Sequence, residues 1–270
     1  MNGRTARLLV IGAITGVASG LLGVGGGFVM VPALVYLLKV PQREANGTSL
    51  AVIIPVAIVG ATILGGGHQI DFQVGIILAI GSVGGAVAGA RLTRRLSDVV
   101  LRRTFGVLAV IVGVLIIGDA LLHAVGVSPH AGSGLRPSGL SLWAIALLVG
   151  IVAGVLSGLL GIGGGAVMVP AMTLLMGLSQ HVAQGTSLLV IIPTAISGSI
   201  THYRMGNIRL PTAAWLAVGG VLGAVAGAAL ALASSDELLR AVFGTYLAFT
   251  GFRMLQAPGT LVAQPTMANR

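Results

Sequence analysis

Residues 16–34 read GVASGLLGVGGGFVMVPAL, and 138 residues later 154–172 read GVLSGLLGIGGGAVMVPAM, identical at fifteen of nineteen positions. Each copy is apolar on both sides of a glycine cluster, and a proline follows five residues after the last glycine. A long apolar stretch broken by Gly and Pro at matching places in two halves is the sequence pointer to a substrate site in secondary transporters. Any fold for this chain must therefore contain two copies of one broken apolar element.

Composition says where such an element can sit. The 270 residues are 56% hydrophobic and 8% charged, more apolar surface than a water-soluble domain can hide. The apolar runs are continuous rather than alternating, so the spans are helices and not barrel strands. Forty-three glycines suit helices packed closely through small residues. The formal charge of +9 is read as topology, with Lys and Arg holding loops on the cytoplasmic side. Nucleic-acid binding is not expected, because there is no basic tail and no interleaving of basic and aromatic residues. The absence of cysteine excludes disulfides and thiolate metal sites. The N-terminal MNGRTARLLVIGAITGVASG imitates a signal peptide. Residues 12–20 recur at 150–158, inside the chain, so the segment is read as part of the fold.

The offset of 138 holds far beyond the glycine motif. Gly47, Thr48, Ser49 and Leu50 match Gly185, Thr186, Ser187 and Leu188, and Pro55 matches Pro193. Gly81, Gly85 and Gly89 match Gly219, Gly223 and Gly227, and Asp98, Arg102 and Phe105 match Asp236, Arg240 and Phe243. The expected organisation is a first repeat at 1–122, a linker at 123–141 rich in Gly, Ser and Pro, a second repeat at 142–257 and a tail at 258–270.

Each half carries four apolar segments, about 8–38, 46–66, 73–92 and 103–122, then 142–176, 184–202, 210–232 and 239–256. Three of each four approach the ~20 residues that span a bilayer. The first, as one helix, would be about 46 Å long, too long for a ~30 Å core. Breaking it at Gly23–Gly27 yields two half-length helices and a re-entrant hairpin. Charge chooses between a hairpin and a single crossing. With the loop 91–103 cytoplasmic, the hairpin arrangement puts thirteen of fifteen Lys and Arg residues inside and leaves Arg136 and Arg240 outside, with Asp236 and Glu237. The alternative puts seven of them outside, Arg4, Arg7, Arg136, Arg204, Arg209, Arg253 and Arg270. The expected fold is an all-α polytopic membrane protein of two inverted repeats, each a glycine-broken re-entrant hairpin plus three transmembrane helices, multi-pass in the cytoplasmic membrane.

The glycine clusters are Gly23, Gly25, Gly26, Gly27 and Gly161, Gly163, Gly164, Gly165. A dinucleotide reading needs a glycine where Phe28 and Ala166 stand, and a preceding strand; no Walker lysine follows either. Two readings remain. One is tight helix packing through small residues. The other is a backbone turn whose following half-helix, with Pro32 or Pro170 near its first turns, aims a positive dipole end into the protein centre. Two such ends facing each other make an anion site without a charged side chain. Asn46, Thr48 and Ser49, repeated as Gln184, Thr186 and Ser187, either supply neutral donors to that site or bond back to their own helices. Ser19 and Ser157 belong to the same candidate set. Pro55 and Pro193 sit mid-span, where they kink the helix as packing features or as hinges. The Gly81 and Gly219 rows read as internal helix contacts before a dimer face, which leaves a homo-oligomer open. His68, His123, His130, His181 and His202 lie near segment ends or in the linker, and no pair has zinc-ligand spacing. His68 with Asp71, or His202, are the candidates for carrying protons. No cofactor and no metal is expected. A rhomboid-type protease would want G-x-S-G, whereas Ser19 and Ser157 stand in G-x-x-S-G.

At the duplicated S-G-x-x-G-x-G-G-G-x-x-x-x-P element and the G-T-S after it, the chain resembles the TauE/SafE family of membrane proteins, often called sulfite exporters. The resemblance covers nearly the whole chain, and the one departure is Gln184 opposite Asn46. It implies a secondary transporter of small sulfur-containing oxyanions such as sulfite, sulfoacetate or related organosulfonates. A passive anion channel and an intramembrane enzyme are the competing readings, with transport preferred to catalysis. The implied partners are a small anion and the lipid bilayer.

Ser97 and Ser235 are exact repeat partners, with five arginines around the first and Asp236, Glu237 and one arginine near the second. In intact cells, a membrane-impermeant thiol reagent is expected to label Ser235→Cys and to spare Ser97→Cys until the cells are opened. Labelling of both, or protection of both, means parallel repeats.

Overall fold

The computed structural model describes residues 3–124 and 139–256, so the tail and most of the linker lie outside the described residues. Ten α-helices follow one another: α1 (Gly3–Leu22), α2 (Gly27–Tyr36), α3 (Gln42–Gly66), α4 (Phe72–Leu92), α5 (Asp98–Ala124), α6 (Leu140–Leu160), α7 (Gly165–Met176), α8 (Gln180–Arg204), α9 (Leu210–Ala233) and α10 (Asp236–Gln256). A single 3-10 turn, Thr93–Arg95, joins α4 to the α5 region, and no strand occurs among the described residues. The chain is a multi-pass membrane protein.

Local chemistry sets the helix ends. Asp71 caps α4 by accepting from the Val74 N–H at 3.0 Å, and Ser179 caps α8 by accepting from the Val182 N–H at 3.3 Å. The short helices α2 and α7 close in the same way. The Val40 N–H reaches back to the Leu34 carbonyl and the Leu178 N–H to the Met172 carbonyl. The left-handed residue between is Gly177 in the second repeat and Lys39, at φ 54, in the first.

Seven helices among the described residues are long and apolar enough to cross a bilayer: α1, α3, α4, α5, α6, α8 and α9. Two features differ from the expectation. The hairpin arms are unequal, 20 and 10 residues in the first repeat and 21 and 12 in the second. The glycine cluster ends a helix that began at Gly3, before the apolar stretch, so the arm before the break is about 30 Å long and the arm after it about 15 Å. Second, α10 does not qualify by composition, carrying Asp236, Glu237, Arg240 and Arg253.

The major contacts run between the repeats. Gly12 meets Leu216 and Gly220, Gly16 meets Gly220 and Ala224, and Gly20 meets Ala224 and Ala228, so α1 and α9 run side by side in the same direction. Their repeat counterparts do the same. Gly81 meets Leu147 and Ile151, Gly85 meets Ile151 and Val155, and Gly89 meets Val155 and Leu159, which lays α4 along α6. The glycine rows are thus contacts within the molecule, backbone against backbone, as close helix packing in lipid requires. By contrast α3 and α8 run antiparallel, with Gly60 on Leu188 and Gly198 on Leu50. So do α5 and α10, with Gly106 on Gly251 and Gly113 on Gly244. Outward faces carry exposed Ile14, Ile76, Ile80, Leu148 and Leu222, the surface that hydrocarbon demands.

A side chain on Gly16 would enter the space of the Gly220 carbonyl, whereas nothing lies within 4 Å of a methyl on Gly84. Gly16→Leu is therefore expected to lower the thermal midpoint of the detergent-solubilised protein sharply. Gly84→Ala should leave it unchanged or raise it slightly, since alanine favours the helix by roughly 1 kcal/mol.

Candidate functional site

The two hairpin tips meet at the middle of α3 and α8. Gly25 and Gly163 each lie against both Ile53 and Ile191, which are the twelfth residues of their 25-residue helices. The tips also touch each other: Gly27 lies on Gly161 and Ile162, and Gly165 lies on Val24 and Gly23. Every residue from Leu22 to Phe28 and from Leu160 to Ala166 is buried.

Glycine is required here by backbone angle and by space together. Gly26 and Gly164 hold left-handed φ of 73° and 88° as the residues before α2 and α7. A side chain on Gly26 would also strike Thr15, 2.6 Å from its methyl carbon. The N–H groups of Val29 and Met30 bond back to the Gly26 carbonyl, and those of Val167 and Met168 to Gly164. The first N–H groups of α2 and α7 have no carbonyl within their own helices. The tips carry no fixed charge: the only buried ionisable groups among the described residues are Arg102 and His202.

Pro32 and Pro170 each stand sixth in the short helix, where the missing N–H frees the carbonyl four residues back. At Pro32 that carbonyl is Phe28, and the Tyr246 hydroxyl of α10 donates to it at 3.0 Å. Pro55 and Pro193 lie two residues past the isoleucines at the crossing, inside helices that run on without interruption.

The polar candidates divide into two groups. Asn46, Ser49, Ser157, Ser19, Gln184 and Ser187 gather at the tips and are all buried. Asn46 donates through Nδ2 to the Leu159 carbonyl at 2.8 Å, and the Ser49 hydroxyl donates to the Gly161 carbonyl at 2.5 Å. Gln42 donates through Nε2 to Asn46 Oδ1 at 3.0 Å. Gln184 runs beside Gly23, Ser187 sits at Gly165, and Ser19 lies against Gly26. Thr48 and Thr186 face elsewhere. Each hydroxyl accepts from the backbone N–H of the residue just before a helix of the other repeat, Arg209 at 3.1 Å and Asp71 at 2.8 Å. Beside them, Gly47 and Gly185 let the Asn207 and Gln69 carbonyls approach. These threonines therefore bind the loops before α9 and α4 to α3 and α8.

Two residues gain a place that sequence reasoning did not give them. Thr15, a turn before Ser19, is buried against Gly26; its repeat counterpart is Ala153, and that difference between copies was its signal. His202 is fully buried rather than a loop residue, its Nε2 2.8 Å from the Gly158 carbonyl and its Nδ1 3.4 Å from Asn207 Nδ2. His68 is a turn residue after α3 at φ 58, and His130 lies outside the described residues.

Comparison with known proteins gives one consistent result. A family model described as sulfite exporter TauE/SafE matches residues 2–116 and 146–269. The chain is 32% identical over 238 residues to the probable membrane transporter protein YunE of Bacillus subtilis, covering 83% of this chain and 87% of that one. It is 26% identical over 266 residues to the probable membrane transporter protein MJ0441 of Methanocaldococcus jannaschii, covering 92% and 94%. A probable membrane transporter protein of Xylella fastidiosa is 29% identical over 236 residues, covering 86% and 88%.

Thr48→Val and Thr186→Val remove a hydroxyl at nearly constant volume and leave a backbone N–H without its acceptor. Each is expected to cost about 1–3 kcal/mol of stability, read as a lower thermal midpoint in detergent, with substrate affinity held close to that of the parent.

Proposed function

We propose, since this chain belongs to the sulfite exporter TauE/SafE family, that it is a secondary transporter of small sulfur-containing oxyanions across the cell membrane. The observation that carries this reading is the meeting of two uncharged hairpin tips, whose Gly25 and Gly163 both lie against Ile53 and Ile191 just before α2 and α7 begin. Helix N-termini attract anions through their free N–H groups and dipole. With no buried cation at the crossing, attraction is strong enough to select an anion and weak enough to release it.

The repeats are inverted in this reading, and the tips lie near the middle of the bilayer. Antiparallel packing of the repeat partners α3 with α8 and α5 with α10 supports it, as does the distribution of arginines. The isoleucine pair covers the tips from both sides. Pro55 and Pro193, just beyond it, are the hinges at which α3 and α8 bend to uncover one side and then the other. Sulfite, sulfoacetate and short organosulfonates fit the site by class, each a small anion with several acceptor oxygens and no need of a cationic partner.

In proteoliposomes, labelled sulfite is expected to enter saturably, with thiosulfate and short sulfonates competing and choline and glucose having no effect. An imposed pH gradient should drive accumulation above equilibrium. Simple equilibration under that gradient identifies a channel, and saturable binding of a cation or sugar with no effect of anions overturns the reading.

A further inference from the structure

The two tips are repeats in sequence but not in bonding. Around the second tip the side chains are occupied: Asn46 holds the Leu159 carbonyl, Ser49 holds the Gly161 carbonyl, and Gln42 holds Asn46. The same positions around the first tip are Gln184 and Ser187, and neither side chain makes a hydrogen bond. Both amide atoms of Gln184 and the Ser187 hydroxyl are without partners, as are the hydroxyls of Ser19 and Thr15. All four residues are completely buried. They surround one place: Thr15 and Ser19 lie against Gly26, Gln184 lies along Gly23, and Ser187 sits where Gly23 meets Gly165. Two sequence differences set the copies apart. Gln184 is one methylene longer than Asn46, and Thr15 adds a hydroxyl where the second repeat has Ala153.

Buried polar groups without partners are rare, and each costs free energy comparable to a lost hydrogen bond. Four residues of this kind along the Gly23–Gly26 turn, against Ser157 and the Gln42 Oε1 beside the other, mark a place built for a ligand that brings acceptors. We propose that the transported anion is bound at a single asymmetric site at the first tip. Its donors are Thr15, Ser19, Gln184 and Ser187. The second tip, bound to Asn46 and Ser49, is a fixed strut. This inference rests on the oxyanion reading of the crossing and narrows it to one of two cradles. The fitting ligand is a compact oxyanion whose three or more oxygens accept from three hydroxyls and one amide at once.

The test is titration of the purified full-length protein with sulfite, and with thiosulfate in parallel, alongside thermal midpoints without ligand. Thr15→Val and Ser187→Ala are each expected to weaken binding by about ten-fold or more, the loss of a hydrogen bond to a charged group. Their midpoints without ligand should be unchanged or higher, because an unpartnered hydroxyl is removed. Ser49→Ala should bind within about two-fold of the parent and melt lower, because its bond to Gly161 is lost. One anion per chain is expected. Two anions per chain overturn the single site, as does equal weakening by Ser49→Ala and Ser187→Ala. Parent-like affinity of both Thr15→Val and Ser187→Ala also overturns it while leaving the oxyanion reading standing. If the parent binds no oxyanion, the oxyanion reading fails, and the inference with it.

Discussion

Everything in this structure depends on two backbones being able to touch. Lipid offers helices no hydrophobic reason to associate, so contact must come from packing at short range. Gly12, Gly16 and Gly20 let α1 lie on α9, and Gly81, Gly85 and Gly89 let α4 lie on α6. These two seams bring the first repeat onto the second and hold the broken hairpins against α3 and α8. Only inside such an enclosure can a broken helix keep its backbone groups away from lipid.

The same enclosure sorts the polar side chains. On one face of α3 and α8, Thr48 and Thr186 fasten loops of the opposite repeat. On another face of α3, Asn46 and Ser49 turn to the tip and bond backbone carbonyls. A G-T-S element thus carries two jobs in consecutive residues: glycine admits a loop carbonyl and threonine binds the residue two further along that loop, while serine turns to the tip. Successive positions on a helix point about 100° apart, so neighbours in sequence serve different surroundings.

Much of this was legible in the chain. The duplication, the break at the glycines, the membrane setting and the internal use of the glycine rows all follow from spacing and composition. The partners of those rows did not, because Gly16 pairs with a helix from the other repeat and periodicity reports a face without naming what covers it. The unequal hairpin arms were hidden because nothing in MNGRTARLLV delays the start of a helix until the apolar run begins. The separate roles of Thr48 and Ser49 depend on which way α3 is turned, and a helix apolar on nearly all sides gives no moment from which to read that. His202 was misplaced for the same reason: it lies near the end of α8 in sequence, yet it packs beside Gly47 in the interior.

The seam between α1 and α9 also has a consequence in time. Leu22 ends α1 long before Leu210 begins α9. At roughly 5–20 residues per second, the intervening stretch of about 190 residues takes roughly 10–40 s to synthesise. Throughout that interval the first helix stands in the membrane without the surface it was shaped for, its glycine row open and Thr15 and Ser19 facing whatever is there. Assembly of this protein is therefore paced by the ribosome, and α1, made well before α9, waits to find its place.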